Sequence, residues 1–324
     1  RTTTQLVRIR VTAPGQYAFD FSLLDRWIDL CLSCGVEYFE MAHLFSQWGA
    51  AAAPKVVAEV EGEVRRIFGW ETDALGADYD CFLSQFLPAL VAFLQKKGVD
   101  QKTFFHISDE PHGKHLEHYL ACKNLVAGYI GDLPLIDAMS DYAFYESGVM
   151  QKPIPVIYHA DPFLAHNVPG LWVYYNGSTT GTYHITGRMI AQRLCDTRAL
   201  GFQLWQNRIE GFLHWGFNFW NSQDSYHHLD PFLNTDADYF MPSGDALLVY
   251  PGDAGDCWES LRLNAMREAM EDLRMLSLCE SVRGRDFTEA LLRETAGEPV
   301  TFRTLPREDF YGILREKIAA AIEE

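Results

Sequence analysis

The sequence has no apolar run near the roughly 20 residues that a membrane-spanning helix needs, so no insertion into a bilayer by a helix is expected. It is poor in positive charge. Its 27 Lys and Arg against 44 Asp and Glu leave a net charge of −17, which argues against a grip on nucleic acid or on an anionic membrane surface. It lacks a disulfide framework, because its seven cysteines are odd in number and dispersed from Cys31 to Cys279. That pattern reads as reduced thiols and tilts localisation towards the cytoplasm, with the periplasm and the exterior left open. No G-x-G-x-x-G follows an apolar strand, which counts against a doubly wound sheet without closing it off, and no cofactor is expected. Neither an initiator Met nor a signal-peptide core stands at Arg1.

What the chain does have is an aromatic excess, with 21 Phe, 15 Tyr and 8 Trp in 324 residues, and a recurring order of helix, glycine and apolar strand. Ser22 opens a helix with Leu24, Trp27, Ile28 and Cys31 at helical spacing, Gly35 ends it, and Val36–Phe45 follows as a strand. The Cys31-x-x-Cys34 pair within it reads as packing. A second helix covers Tyr79–Lys97 with Phe82, Phe86, Leu90 and Leu94 on one stripe; Pro88 predicts a kink and Gly98 a stop. Strand Thr103–Glu110, helix Lys114–Ile130 and strand Leu133–Ser140 continue the series. Ile154–His159 and Gly170–Asn176 are further strands, Gly187–Leu200 is a helix stopped by Gly201, and Glu210–Trp220 is a strand.

Such alternation predicts an α/β protein with a parallel sheet, and at least six strands over about 220 residues favour a (β/α)8 TIM-like barrel. Leu6–Val11 is a candidate first strand. The barrel is expected over residues 1–238. Residues 239–324 read as a C-terminal, mostly helical extension on its exterior: a strand at Asp245–Tyr250, a helix capped by Ser260, and helices at Asp286–Thr295 and Glu308–Glu324.

The sharpest chemical feature is His106-Ile107-Ser108-Asp109-Glu110-Pro111, at the end of a strand that would face the mouth of a parallel barrel. Two adjacent carboxyls repel, which pushes one towards the range of a general acid. Alternation puts His106, Ser108 and Glu110 on one face, and Asp109 joins them only if the backbone turns there. Neighbouring carboxyls are badly placed to straddle a scissile bond, as the about 5–5.5 Å of a double-displacement glycosidase or the about 6.5–9.5 Å of an inverting one requires. They suit a division of labour, in which one acid protonates the leaving oxygen and its neighbour orients a nucleophile carried by the substrate. The plain structural alternative is acidic capping of the helix before Lys114.

These residues, with Y-F-E-M-A-H-L-F-S-Q-W-G-A from Tyr38, L-P-L-I-D-A-M-S-D from Leu133, G-L-W-V-Y-Y-N from Gly170 and G-F-L-H-W-G-F-N-F-W from Gly211, resemble glycoside hydrolase family 123 and the related bacterial domains of unknown function. The resemblance runs in order from about Tyr17 to Cys279. It implies a (β/α)8 barrel, usually preceded by an N-terminal β-sandwich module, and β-N-acetylgalactosaminidase activity. The implied mechanism is retaining and substrate-assisted, through an oxazolinium and without metal. Carried over by motif, Glu110 is the general acid/base and Asp109 holds the 2-acetamido group.

The remaining candidates are substrate-binding residues. Trp220 and Trp215 could stack on a pyranose, Asn218 could bond a hydroxyl or the acetamide, and Tyr174 or Tyr175 could donate to the acetamide oxygen. His43 lies in a matched motif, and Asp137 could orient Glu110 or a substrate hydroxyl, a buried structural role being equally open. Two other readings stay open: a glycan-binding barrel without turnover, and metal-assisted hydrolysis through His43, His106 and the carboxylate pair. The His227-His228 loop fits no helical metal motif. The expected partner is a glycan or glycoconjugate.

Overall fold

The computed structural model describes residues 4–177 and 184–323. The protein is a mixed α/β chain that divides into two compact units, Thr4–Pro155 and Val156–Glu324. The expected boundary at residues 238 and 239 lies inside the second.

The first unit opens with β1 (Arg8–Ala13) and β2 (Gln16–Asp20), an antiparallel hairpin turned by Pro14 and Gly15, with Gly15 at φ 68°. The expected first barrel strand, Leu6–Val11, therefore belongs mostly to a separate four-stranded sheet. Helix α1 (Ser22–Ser33) buries Leu24 and Ile28, four residues apart on one face. Its first amides are met by Asp20, whose carboxylate accepts from the Ser22 amide, and not by a Ser22 cap. After β3 (Phe39–Glu40) come β4 (Val56–Val60) and β5 (Glu63–Phe68), an antiparallel pair that completes the sheet in the order β2-β1-β4-β5. Glu61 and Gly62 both have positive φ, which is the two-residue hairpin that keeps a right-handed strand twist.

Helix α2 (Ala77–Lys97) buries Phe82, Leu83, Leu87, Leu90 and Leu94. Pro88 is exposed and the helix runs through it as one element, since the bond lost to its missing N–H lies on the solvent side. Gly98 at φ 70° ends it as expected, and the Val99 amide closes onto the Leu94 carbonyl.

The parallel pairings of this unit are short. β3 pairs with β6 (Thr103–Phe104), Phe105 bridges to Leu135, and, beyond helix α3 (Leu116–Ile130), β7 (Asp137–Ala138) pairs with β8 (Pro153–Ile154). The expected long strands Val36–Phe45, Thr103–Glu110 and Leu133–Ser140 shrink to these two-residue ladders. The cause is visible in the bonding: the amides of Ile107 and Ser108 go to the Asp137 carboxylate and are lost to a sheet ladder. Among the described residues the sheets stay small and separate, and no closed eight-stranded barrel is formed by them.

In the second unit, β9 (Trp172–Tyr174) pairs in parallel with β10 (Gly211–Leu213), and Val156 bridges to Tyr174. A Cβ on Gly211 would sit 2.1 Å from the Trp172 ring, so only glycine fits that register. The expected strand Glu210–Trp220 stops at Leu213, because the chain folds back at Gly216, whose amide donates to His214 Nδ1 and whose carbonyl accepts from Arg188. β11 (Val249–Pro251) and β12 (Cys257–Glu259) form a hairpin.

The expected helix Gly187–Leu200 is two short ones, α4 (Leu194–Arg198) and α5 (Leu200–Gln206). Gly201 does not stop a helix; it lies inside α5, where a Cβ would meet the Ala269 carbonyl at 1.9 Å, so it permits close packing on α6 (Leu261–Arg283). Ser260 caps α6 by accepting from the Leu263 amide, as expected. With α7 (Arg285–Ala296) and α8 (Phe310–Glu323), α6 closes a core of Phe202, Trp205, Leu276, Leu292, Phe310 and Leu314. All seven cysteines are free thiols, and no helix of the described residues is long and apolar enough to cross a membrane.

Candidate active site

Asp109 and Glu110 lie in the first unit, where the segment running on from β6 turns away from its neighbours. Glu110 has φ 44°, a left-handed conformation that costs a non-glycine residue about 1–3 kcal/mol and is kept only where the surroundings enforce it. Its amide donates to the Ala138 carbonyl at 3.0 Å. This is the backbone turn that the alternation argument needed for the two carboxyls to share a side. Neither carboxyl serves as a helix cap. No side chain caps α3 at His115, and the Gly113 amide ahead of it is met by Asp141 at 2.9 Å.

The turn is braced from two sides. Asp137, fully buried, accepts from the amides of Ile107 and Ser108, from Tyr119 Oη at 2.5 Å and from His106 Nδ1 at 3.1 Å. On the other side stands the loop Ser46–Ala50. The Ser108 hydroxyl donates to the Ser46 carbonyl and accepts from the Gly49 and Ala50 amides. Trp48 donates its amide to the Asp109 carbonyl at 2.9 Å, and Gln47 Nε2 donates to Asp109 Oδ2 at 2.7 Å. Trp48, Gly49 and Ala50 all have positive φ, and Gly49 is obligatory because a Cβ there would lie 2.7 Å from the His115 ring. Trp48 leaves 55% of its surface exposed beside Asp109.

Asp109 is held up to about 6, first by burial and then by the Glu110 charge, with Asp137 adding to it; Gln47 and His106 pull the other way. Its folded state thus keeps a carboxyl that titrates in mildly acidic solution. Burial alone would lower His106, but its bonds to Asp137 and Glu40, the latter at 3.3 Å, raise it to about 9.

His43, Nε2 buried without a hydrogen-bond partner, packs its ring 4.7 Å from that of His106 and is lowered by burial. His43, His106 and Asp137 bring donor atoms within 4.8 Å of one another. They fit a metal poorly, because both ring nitrogens of His106 face carboxylates and carry protons where a metal needs a lone pair.

The other expected residues lie in the second unit. Tyr175 is fully buried, raised by burial well above its usual value, and donates to Met266 Sδ; Tyr174 is buried beside it. Trp215 is 37% exposed, packs against Phe219 and Phe240, and donates its indole N–H to Asp245 at 2.8 Å. Asn218 is exposed and bridges to Leu247, and Trp220 donates to the Val249 carbonyl. Because the chain turns at Gly216, these residues do not alternate along a single strand. Gln47, Arg188 and Asp245 were not singled out from sequence, and each acts across a long separation; for Gln47 the local sign was its place beside Trp48-Gly49 in a matched motif.

Comparison with known proteins places the chain in a class first. Residues 1–279 match the family model described as glycoside hydrolase 123, catalytic domain, so the class is that of the glycoside hydrolase families. More narrowly, the chain belongs to glycoside hydrolase family 123. Its fold is similar to that of a family 123 glycoside hydrolase from Clostridium perfringens whose structure bears on glycolipid glycan hydrolysis, with a TM-score of 0.70 at 15% identity. That similarity covers 98% of this chain and 58% of the other, so the chain spans little more than half the length of that enzyme. No curated protein matches.

Proposed function

We propose that the protein is a retaining glycosidase that releases terminal β-linked N-acetylgalactosamine by a substrate-assisted mechanism, with the (β/α)8 barrel that the family resemblance implies as its scaffold. The reading rests on one observation above the others: Asp109 and Glu110 are adjacent, the chain turns at Glu110 with φ 44°, and Asp109 is fixed by a donor at 2.7 Å. Adjacent carboxyls serve one side of a bond and leave the attack to a nucleophile of the substrate itself. Glu110 donates a proton to the glycosidic oxygen as the acetamide carbonyl attacks the anomeric carbon. Asp109, as carboxylate, accepts from the acetamide N–H and offsets the charge of the oxazolinium. Glu110 then takes a proton from the water that opens the ring. His43 and Asp137 of the first unit remain proposed substrate-binding residues, and Tyr174, Tyr175, Trp215, Asn218 and Trp220 of the second remain proposed as such on the motif resemblance alone.

A panel of 4-nitrophenyl N-acetyl-β-galactosaminide, N-acetyl-β-glucosaminide and the corresponding 2-hydroxy sugars tests this. Turnover is expected only with the 2-acetamido group present, and Glu110→Gln and Asp109→Asn should each lower kcat by about 100-fold or more. Since Asp109 sits at about 6, activity should fall as pH drops through that value, where the carboxylate is lost. Equal turnover of the 2-hydroxy sugars would sink the mechanism, and binding to the whole panel without turnover would favour a glycan-binding barrel.

A further inference from the structure

We propose that Gln47 is a positioning residue for this reaction: it commits Oδ2 of Asp109 and leaves Oδ1 for the acetamide N–H of the substrate. The assignment rests on the substrate-assisted reading. Four observations carry it. The Gln47 amide reaches Asp109 from 62 residues away at 2.7 Å. The adjoining residue, Trp48, holds the Asp109 backbone carbonyl at 2.9 Å, so side chain and main chain of one loop grip one residue. That loop keeps three successive residues at positive φ, a cost that marks a conformation enforced by its setting. The same loop is tied to Ser108 through the Gly49 and Ala50 amides and to α3 through the His118 ring on the Ala50 carbonyl at 3.0 Å. Asp109 therefore meets a donor whose own backbone is held on two sides.

An amide is the fitting group there. A carboxylate that must accept from a substrate N–H has two oxygens and gains orientation if one is already bonded. The groups facing Asp109 are Glu110 and His106 on its own segment, Asp137 from β7 and Gln47 from the loop. Glu110 and Asp137 favour the protonated acid, whereas Gln47 and His106 favour the carboxylate that the reaction needs. Gln47 thus supplies direction and helps keep the group ionised, and a neutral donor does so without competing for the proton.

The test compares Gln47→Leu and Gln47→Glu in the full chain, with urea midpoints confirming that both fold. Two quantities are read: kcat and KM against pH on the aryl N-acetylgalactosaminide, and titration of the Asp109 carboxyl by 13C NMR, assigned with Asp109→Asn. For Gln47→Leu the Asp109 titration and the acid limb of kcat should both move up by about one pH unit, with kcat down about tenfold or more and KM little changed. Gln47→Glu is nearly isosteric but donates only while protonated. Its activity should be lost from the alkaline side, giving a narrower profile displaced to low pH. A uniform loss at every pH in both variants, with the Asp109 titration unmoved, would overturn the proposal. If the wild type turned over no N-acetylhexosaminide while Gln47→Leu still shifted Asp109, the reaction assigned above would fail and the hold of Gln47 on Asp109 would stand.

Discussion

His106 in the first unit and His214 in the second each lie against an aspartate, Asp137 at 3.1 Å and Asp245 at 3.3 Å, yet their basicities are shifted in opposite directions. The difference lies at the other ring nitrogen. Nε2 of His106 faces Glu40, and the two carboxylates outweigh burial and raise the ring to about 9. Nδ1 of His214 instead lies against the Arg188 guanidinium and the Gly216 amide, and burial together with the Arg188 charge outweighs Asp245 and lowers the ring. A His–Asp contact is thus an ion pair in one unit and a bond from an uncharged ring to a carboxylate in the other, decided by the second neighbour. The aspartates differ in what they brace. Asp137 fixes the backbone that leads into Asp109, whereas Asp245 fixes the indole of the half-exposed Trp215.

Asp137→Asn should break the comparison most severely. It leaves His106 with one carboxylate partner and turns an N–H towards the Ile107 and Ser108 amides. A stability loss of about 3–5 kcal/mol, read as a fall in urea midpoint, is expected for removing one side of a buried pair, with kcat reduced along with it. Next in size is pH. His106 binds its proton more tightly folded, at about 9, than at its ordinary 6.5. Its contribution, on the order of 3 kcal/mol, is complete below about pH 6.5 and lost as pH rises towards 9. His214, lowered, works the other way and costs stability on acidification. Imidazole NMR should find His106 protonated and His214 neutral at pH 8, with His214 titrating below the ordinary 6.5, and Glu40→Gln should lower the first titration and leave the second in place. The smallest effect is expected for Asp245→Asn. Its shape is kept and the His214 ring is already neutral, so a loss of about 1–2 kcal/mol, with a shifted Trp215 fluorescence, should result.

The helices were legible because their signals are local: the apolar stripe of α2, Gly98 after it, and Ser260 before α6. Strand lengths were not, because the amides of Ile107 and Ser108 are claimed by a side chain from residue 137 and no periodicity reports that. Gly201 misled for a related reason. A glycine read as a stop answers to a helix about 70 residues away, whose Ala269 carbonyl leaves no room for a Cβ. The hairpin Val56–Phe68 went unread although Glu61-Gly62 marks its turn. In the site, adjacency, the expected strand end and the motif around them exposed Asp109 and Glu110. Gln47 stayed hidden because its meaning is a contact across 62 residues.

The most direct measurement is kcat/KM for a series of aryl β-N-acetylgalactosaminides whose 2-acetamido methyl carries zero to three fluorines. Fluorine withdraws electron density from the carbonyl oxygen that is to attack. If that oxygen is the nucleophile beside Asp109 and Glu110, kcat/KM should fall with each fluorine added. A flat series with undiminished turnover would contradict substrate assistance and return the attacking role to the protein or to water.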